Sequence, residues 1–184
     1  GTPSEGSVLA LRSLVEGFTI GGMNINLPFV QNITKFDLFT IPSAYQLLPA
    51  PGTLRVTDEN FEPIDIDLYD PKEWTRYGWN AIDDKRFAAQ FRLAERRAAP
   101  EFFASALSRA KRLHEALAAG ANSDGPGLFN LVGAACNDSL DLIVLRRDKR
   151  TDRWITMFRP ASFVKSTGDK VTNDELKELM LADG

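Results

Sequence analysis

The sequence predicts an α/β fold, and three observations carry that prediction. Short segments at residues 54–56 and 64–68 alternate with a two-residue period, and apolar segments at 141–145 and 154–158 flank a charged turn, the patterns of strands and hairpins. Around them, residues 7–15 and 100–119 place apolar side chains at three- and four-residue intervals, as amphipathic helices do. A continuous apolar run at 128–133 follows Gly125-Pro126-Gly127, the pattern of a strand buried on both faces. A chain of 184 residues that is 43% hydrophobic and 26% charged suits one domain with one sizeable core.

Taken in order, the first helix has apolar residues at 8, 9, 11, 14 and 15, with Ser4 or Ser7 near its cap and Gly17 and Gly21-Gly22 ending it. From 22 to 41 the residues are apolar with scattered amides, and neither period is clean. Pro42 suits the first turn of a helix through Leu48, which Pro49 and Pro51-Gly52 stop. Residues 54–56 and 64–68 flank polar residues 57–60 and predict a hairpin. Alternation sets Asp65 and Asp67 on its solvent face, opposite Ile64, Ile66 and Leu68, so a solvated edge outweighs a metal or acid/base site. Asp70 caps a helical turn opened by Pro71, with Glu73 three residues on. Trp74, Tyr77 and Trp79 are assigned to packing.

Two helices are expected next. The first starts at Asp83-Asp84, with Phe87, Phe91 and Leu93 inward and Arg86, Arg92, Arg96 and Arg97 outward; Pro100 breaks it. The second runs over 100–119 with a stripe of Phe103, Leu107, Ala110, Leu113 and Leu117, and Gly120 ends it. The arginines read as solvated faces, with anionic lipid headgroups as the alternative. A second hairpin joins 141–145 to 154–158 around the charged residues 146–153, and Thr172 or Asn173 caps a final helix.

Composition narrows the function. A net charge of -3 and a pI near 5.3 offer no electrostatic attraction to nucleic acid. One cysteine, Cys136, forbids an internal disulfide and makes no metal cluster. No apolar run approaches the roughly 20 residues of a membrane span, and the compartment stays open.

Several motifs are more specific. Gly1-Thr2-Pro3-Ser4-Glu5-Gly6-Ser7, Pro42-Ser43-Ala44-Tyr45-Gln46-Leu47-Leu48-Pro49, Leu68-Tyr69-Asp70-Pro71, Trp74 with Tyr77-Gly78-Trp79, and Ser166-Thr167-Gly168-Asp169-Lys170-Val171 follow one another in the chain. In that order they resemble bacterial members of the lecithin:cholesterol acyltransferase-like α/β-hydrolases. The resemblance covers most of the chain. It implies a partial α/β-hydrolase fold: a mostly helical cap or lid over 22–125, then the C-terminal strands of the central sheet and an aspartate loop over 126–184. It also implies acyl transfer or ester hydrolysis on a lipid through an acyl-enzyme, with no cofactor or metal.

In such enzymes an imidazole activates the serine, and a carboxylate holds the imidazole in one tautomer. The resemblance gives the carboxylate role to Asp169, in a loop that usually has glycine where Lys170 stands. Asp169 as a plain turn residue is the alternative. No G-x-S-x-G elbow occurs. Only fifteen residues follow Asp169, none of them histidine, and the single histidine, His114, precedes it by 55 residues within a helix. The expectation is therefore a segment whose serine and histidine come from the remainder of a parent hydrolase, with an exposed strand edge open to self-association. A non-catalytic binding module derived from the same architecture is the competing reading.

Overall fold

The computed structural model describes residues 5–18, 33–120 and 141–181. The turn at Ser4, the Gly21-Gly22 pair, most of the apolar stretch after it, the strand expected at 128–133 and Cys136 lie outside those residues.

Helix α1 (Val8–Glu16) begins at Ser7, whose hydroxyl accepts from the Leu9 N–H at 3.1 Å, and buries Val8, Leu11 and Leu14. Leu9, expected inward, is 52% exposed. Gly17 closes the helix at φ +91, a conformation that only glycine adopts without strain. At Gly6 the backbone is also left-handed, and a Cβ there would lie 1.9 Å from the Leu48 carbonyl oxygen. Ser7 N–H donates to Leu47 O and Ala50 N–H to Glu5 O on either side of it, at 2.9 and 2.8 Å. Thus the end of the opening motif works as a splice between α1 and the segment after α3.

Helix α2 (Lys35–Phe39) opens with a capping box the sequence reading missed: Thr34 accepts from Asp37 N–H while the Asp37 carboxylate takes the Thr34 N–H and hydroxyl. Those bonds from Thr34 hold the Asp37 carboxyl below the usual range. Helix α3 (Pro42–Tyr45) has Pro42 in its first turn, and the buried Tyr45 hydroxyl donates to Phe39 O at 3.0 Å. Helix α4 (Pro71–Arg76) is capped by Asp70, which accepts from the Lys72 N–H at 2.9 Å.

Three expectations for the next stretch are corrected. The helix expected from Asp83 is split into a 3-10 turn (Ala81–Asp83), α5 (Phe87–Gln90) and the start of α6, because Phe91 is extended between them at φ -122. Leu93 is consequently 56% exposed. Pro100 does not break the chain: it lies inside one helix, α6 (Leu93–Gly120). A proline removes one N–H, and the burial of Ala99, Phe103, Ala106, Leu107 and Ala110 on this face keeps the backbone helical across it. Along the stripe, His114 follows Ala110 into the core, whereas Leu113 and Leu117 are 37% and 50% exposed. Positions 103, 107, 110 and 114 keep the 3.6-residue period and 113 departs from it; 117 stays on the stripe but lies in the last turn of the helix.

Among the described residues the sheet has three strands, in the order β1 (Arg55–Asp58), β2 (Leu142–Arg147), β3 (Trp154–Met157). The 142–157 hairpin is as expected, with antiparallel register from Val144 opposite Met157 to Arg147 opposite Trp154. The first hairpin is not. Strand β1 pairs in parallel with β2, Arg55 beside Leu142 through Asp58 beside Leu145. Residues 64–68 form no strand; the local return is a single bridge at Thr57 and Pro63, where proline offers no N–H to extend a ladder. A parallel pair needs a long crossover, and α4 to α6 lie within it.

Strand β2 explains why both faces of the sheet are apolar. Ile143 and Leu145 face the main core of α1 to α6, whereas Leu142 and Val144 face a second cluster with Met157, Phe163 and Leu176. Leu176 belongs to α7 (Asn173–Leu181), which starts at Thr172 as expected: Glu175 N–H donates to the Thr172 hydroxyl and Glu175 accepts from Thr172 N–H. Helices on one face, a helix on the other and a parallel strand pair between them make an α/β arrangement.

Candidate functional site

Asp169 sits at the tip of a short loop between the second core cluster and α7. Phe163, fully buried, and half-buried Val171 anchor its two ends, with the Val171 N–H donating to Phe163 O at 3.3 Å. The loop is closed by a bridge between Val164 and Lys170, by Gly168 at φ +94, and by Lys165 N–H on Asp169 O at 2.8 Å. The Asp169 side chain is exposed, and its carboxylate accepts from the Thr167 hydroxyl at 2.9 Å. Behind it, Lys165 pairs with Glu175. That ammonium, followed by the Thr172 N–H and hydroxyl, draws the Glu175 carboxyl down to about 2.

His114 lies elsewhere, 4% exposed on the core face of α6, its ring 6.1 Å from that of Tyr69. Tyr69 is itself committed, donating its hydroxyl to Pro49 O at 2.8 Å. Neither His114 nitrogen has a hydrogen-bond partner among the described residues. An acid–imidazole pair is thus not formed between Asp169 and the chain's histidine. A buried polar group without a partner costs about 1–3 kcal/mol, and leucine is also the better helix former. His114→Leu is therefore expected to raise stability by about 1–2 kcal/mol, read as an increase in the urea midpoint with unchanged slope. A lowered midpoint would show that the imidazole contributes an interaction leucine cannot replace.

The other singled-out carboxylates behave as solvated groups. Asp65 and Asp67 are exposed, and Asp67 pairs with Lys111 across to α6 at 2.8 Å. Among the described residues no group of three or more His, Cys, Asp or Glu side chains converges as a metal site. Nor is any helix there long and apolar enough to cross a membrane.

Three of the five resembling motifs converge. Tyr45, from the first of them within the described core, lies 6.5 Å from Trp74, which is 6.0 Å from Trp79 in an edge-to-face pair. The Trp74 indole donates to Leu68 O at 2.7 Å, tying the Leu68-Tyr69-Asp70-Pro71 motif to the same centre. Trp79 donates to the Thr156 hydroxyl on β3 at 2.7 Å and joins this cluster to the sheet.

Compared with known proteins, the chain matches no family model, no curated protein and no solved structure.

Sequence reasoning missed a cationic cleft beside Tyr77 and Trp154, lined also by Lys35, Lys85, Arg86 and Arg153. In the sequence Arg86 stands out only as one arginine of a solvated helix face. The signal was weak because the cleft joins residues more than a hundred positions apart, and no local pattern records such a meeting.

Proposed function

We propose that this polypeptide forms the cap and acid-bearing loop of a serine-dependent lipid acyltransferase or esterase, built on part of an α/β-hydrolase fold. The observation that carries this reading is the packing of Tyr45, Trp74 and Trp79 around one centre, to which the Trp74 indole ties Leu68, since each comes from a motif that resembles that family's. In this account 22–125 is the cap that shapes an acyl pocket, and 126–184 supplies strands and the Asp169 loop. The serine hydroxyl attacks the ester carbonyl and passes its proton to the imidazole. The alcohol then leaves with that proton, and water or an acceptor alcohol releases the acyl group by the reverse sequence. Asp169 orients the imidazole; serine and imidazole come from the rest of the parent hydrolase. β3, an outer strand of the described sheet, gives the chain a route to self-association, whereas the outer edge of β1 is taken up by residues 62–64.

The test is covalent labelling. The product of the whole reading frame is expected to react with a serine-directed fluorophosphonate and to hydrolyse a short-chain ester. The 184-residue chain alone is expected to do neither. Absence of labelling in the longer protein rejects the proposal.

One observation favours a second reading, a non-catalytic binding module of the same ancestry. The Asp169 carboxylate faces solvent and is held by its neighbour Thr167, as a turn residue would be.

A further inference from the structure

We propose that the cleft between α4, the 80–86 segment and the turn joining β2 to β3 binds a phosphate group. It measures about 680 Å³, within the range of small-molecule sites. Its lining sets five cations, Lys35, Arg76, Lys85, Arg86 and Arg153, against three carboxylates, in a chain whose net charge is -3.

Internal pairing does not exhaust that surplus. Asp84 is shared between Arg86 at 2.9 Å and Lys35 at 2.7 Å, which leaves the trio one positive charge. Asp152 is taken by Arg147 at 2.6 Å. Arg76 lies over the Tyr77 ring at 5.3 Å and reaches Glu73 only at 3.7 Å. Lys85 and Arg153 make no side-chain hydrogen bond or ion pair among the described residues, and neither does the Asp83 carboxylate; all three line the same cleft, so one further positive charge remains there beside that of the trio.

Tyr77 adds an independent sign. It is only 2% exposed, lines the cleft, and its hydroxyl has no hydrogen-bond partner among the described residues. The hydroxyl oxygen is not among the atoms sealed from solvent without a partner, so the ring is packed away while the oxygen keeps access to the cleft. Here a donor is left open beside unpaired ammonium and guanidinium groups, an arrangement suited to charge-assisted bonds with an oxyanion. Cations approaching from different elements fit the tetrahedral oxygens of a phosphate better than the single plane of a carboxylate. The phosphate can belong to a soluble ester or to a lipid headgroup. The inference does not depend on acyl transfer.

Calorimetric titration with inorganic phosphate, beside co-sedimentation with phosphatidylcholine vesicles with and without phosphatidylglycerol, tests it. Saturable phosphate binding is expected. The double variant Lys85→Ala/Arg153→Ala should weaken it at least about tenfold, and Tyr77→Phe about threefold or more. Lys149→Ala/Arg150→Ala, an equal charge change on the same turn outside the cleft, should bind like the parent. Circular dichroism checks that each variant is folded, and the two lysine–arginine pairs are exposed. Vesicle binding alone, lost in the cleft variants only, supports the site and assigns the phosphate to a headgroup. Binding of neither probe, equal loss in the control variant, or acetate binding as tight as phosphate overturns the proposal.

Discussion

Replacing Trp74 by alanine is expected to remove about 3–5 kcal/mol of stability, a large share of the roughly 5–15 kcal/mol that a domain possesses. The side chain is 1% exposed and meets Phe103 of α6 at 5.4 Å as well as Tyr45 and Trp79. Helix α4 has only six residues, too few to stand alone in water, so its docking depends on that ring. Loss of the indole also strands the buried Leu68 carbonyl, which accepts its N–H at 2.7 Å. Trp74→Phe separates the two effects: most of the ring contacts persist, and the remaining cost of about 1–2 kcal/mol reports the hydrogen bond. Urea unfolding followed by far-ultraviolet circular dichroism measures both. An unchanged midpoint for Trp74→Ala would mean that the aromatic centre is not part of the cooperative core.

How much of this was legible in the sequence varies with the range of the interactions. Local devices were readable: Ser7 and Asp70 as caps, Pro42 in a first turn, Thr172 before α7, and the 142–157 hairpin. Alternation also placed Asp65 and Asp67 correctly in solvent, even though their segment forms no strand, since an extended chain alternates whether or not it is paired. The errors came where distant residues decide. Strand β1 chose β2, 87 positions away at Arg55 and Leu142, over its sequence neighbour. Pro100 stayed helical because of what packs against its neighbours. The aspartate loop was recognisable as a turn from Gly168, but the environment of its carboxylate was not, because solvent exposure depends on everything the loop does not touch.

That exposure makes Asp169→Ala a sharp discriminator between the two functional readings. Among the described residues the side chain holds only the Thr167 hydroxyl and lies outside both apolar clusters, so the substitution is expected to alter stability by no more than about 0.5 kcal/mol. If Asp169 orients an imidazole in the parent hydrolase, esterase turnover of the full reading-frame product should fall about 10⁴-fold with the fold intact. Such a loss cannot come from unfolding, because the urea midpoint serves as the control. If the chain is a non-catalytic binding module, there is no esterase turnover for the substitution to remove, the midpoint is unchanged, and Asp169 is a turn residue whose carboxylate merely caps its own loop; turnover that persists unchanged in the variant likewise rejects the triad role. Lys170 sharpens the comparison. It stands where the resembling loop carries glycine, and Lys170→Gly should leave a scaffold loop indifferent, whereas a catalytic loop set by sub-ångström positioning should change its rate.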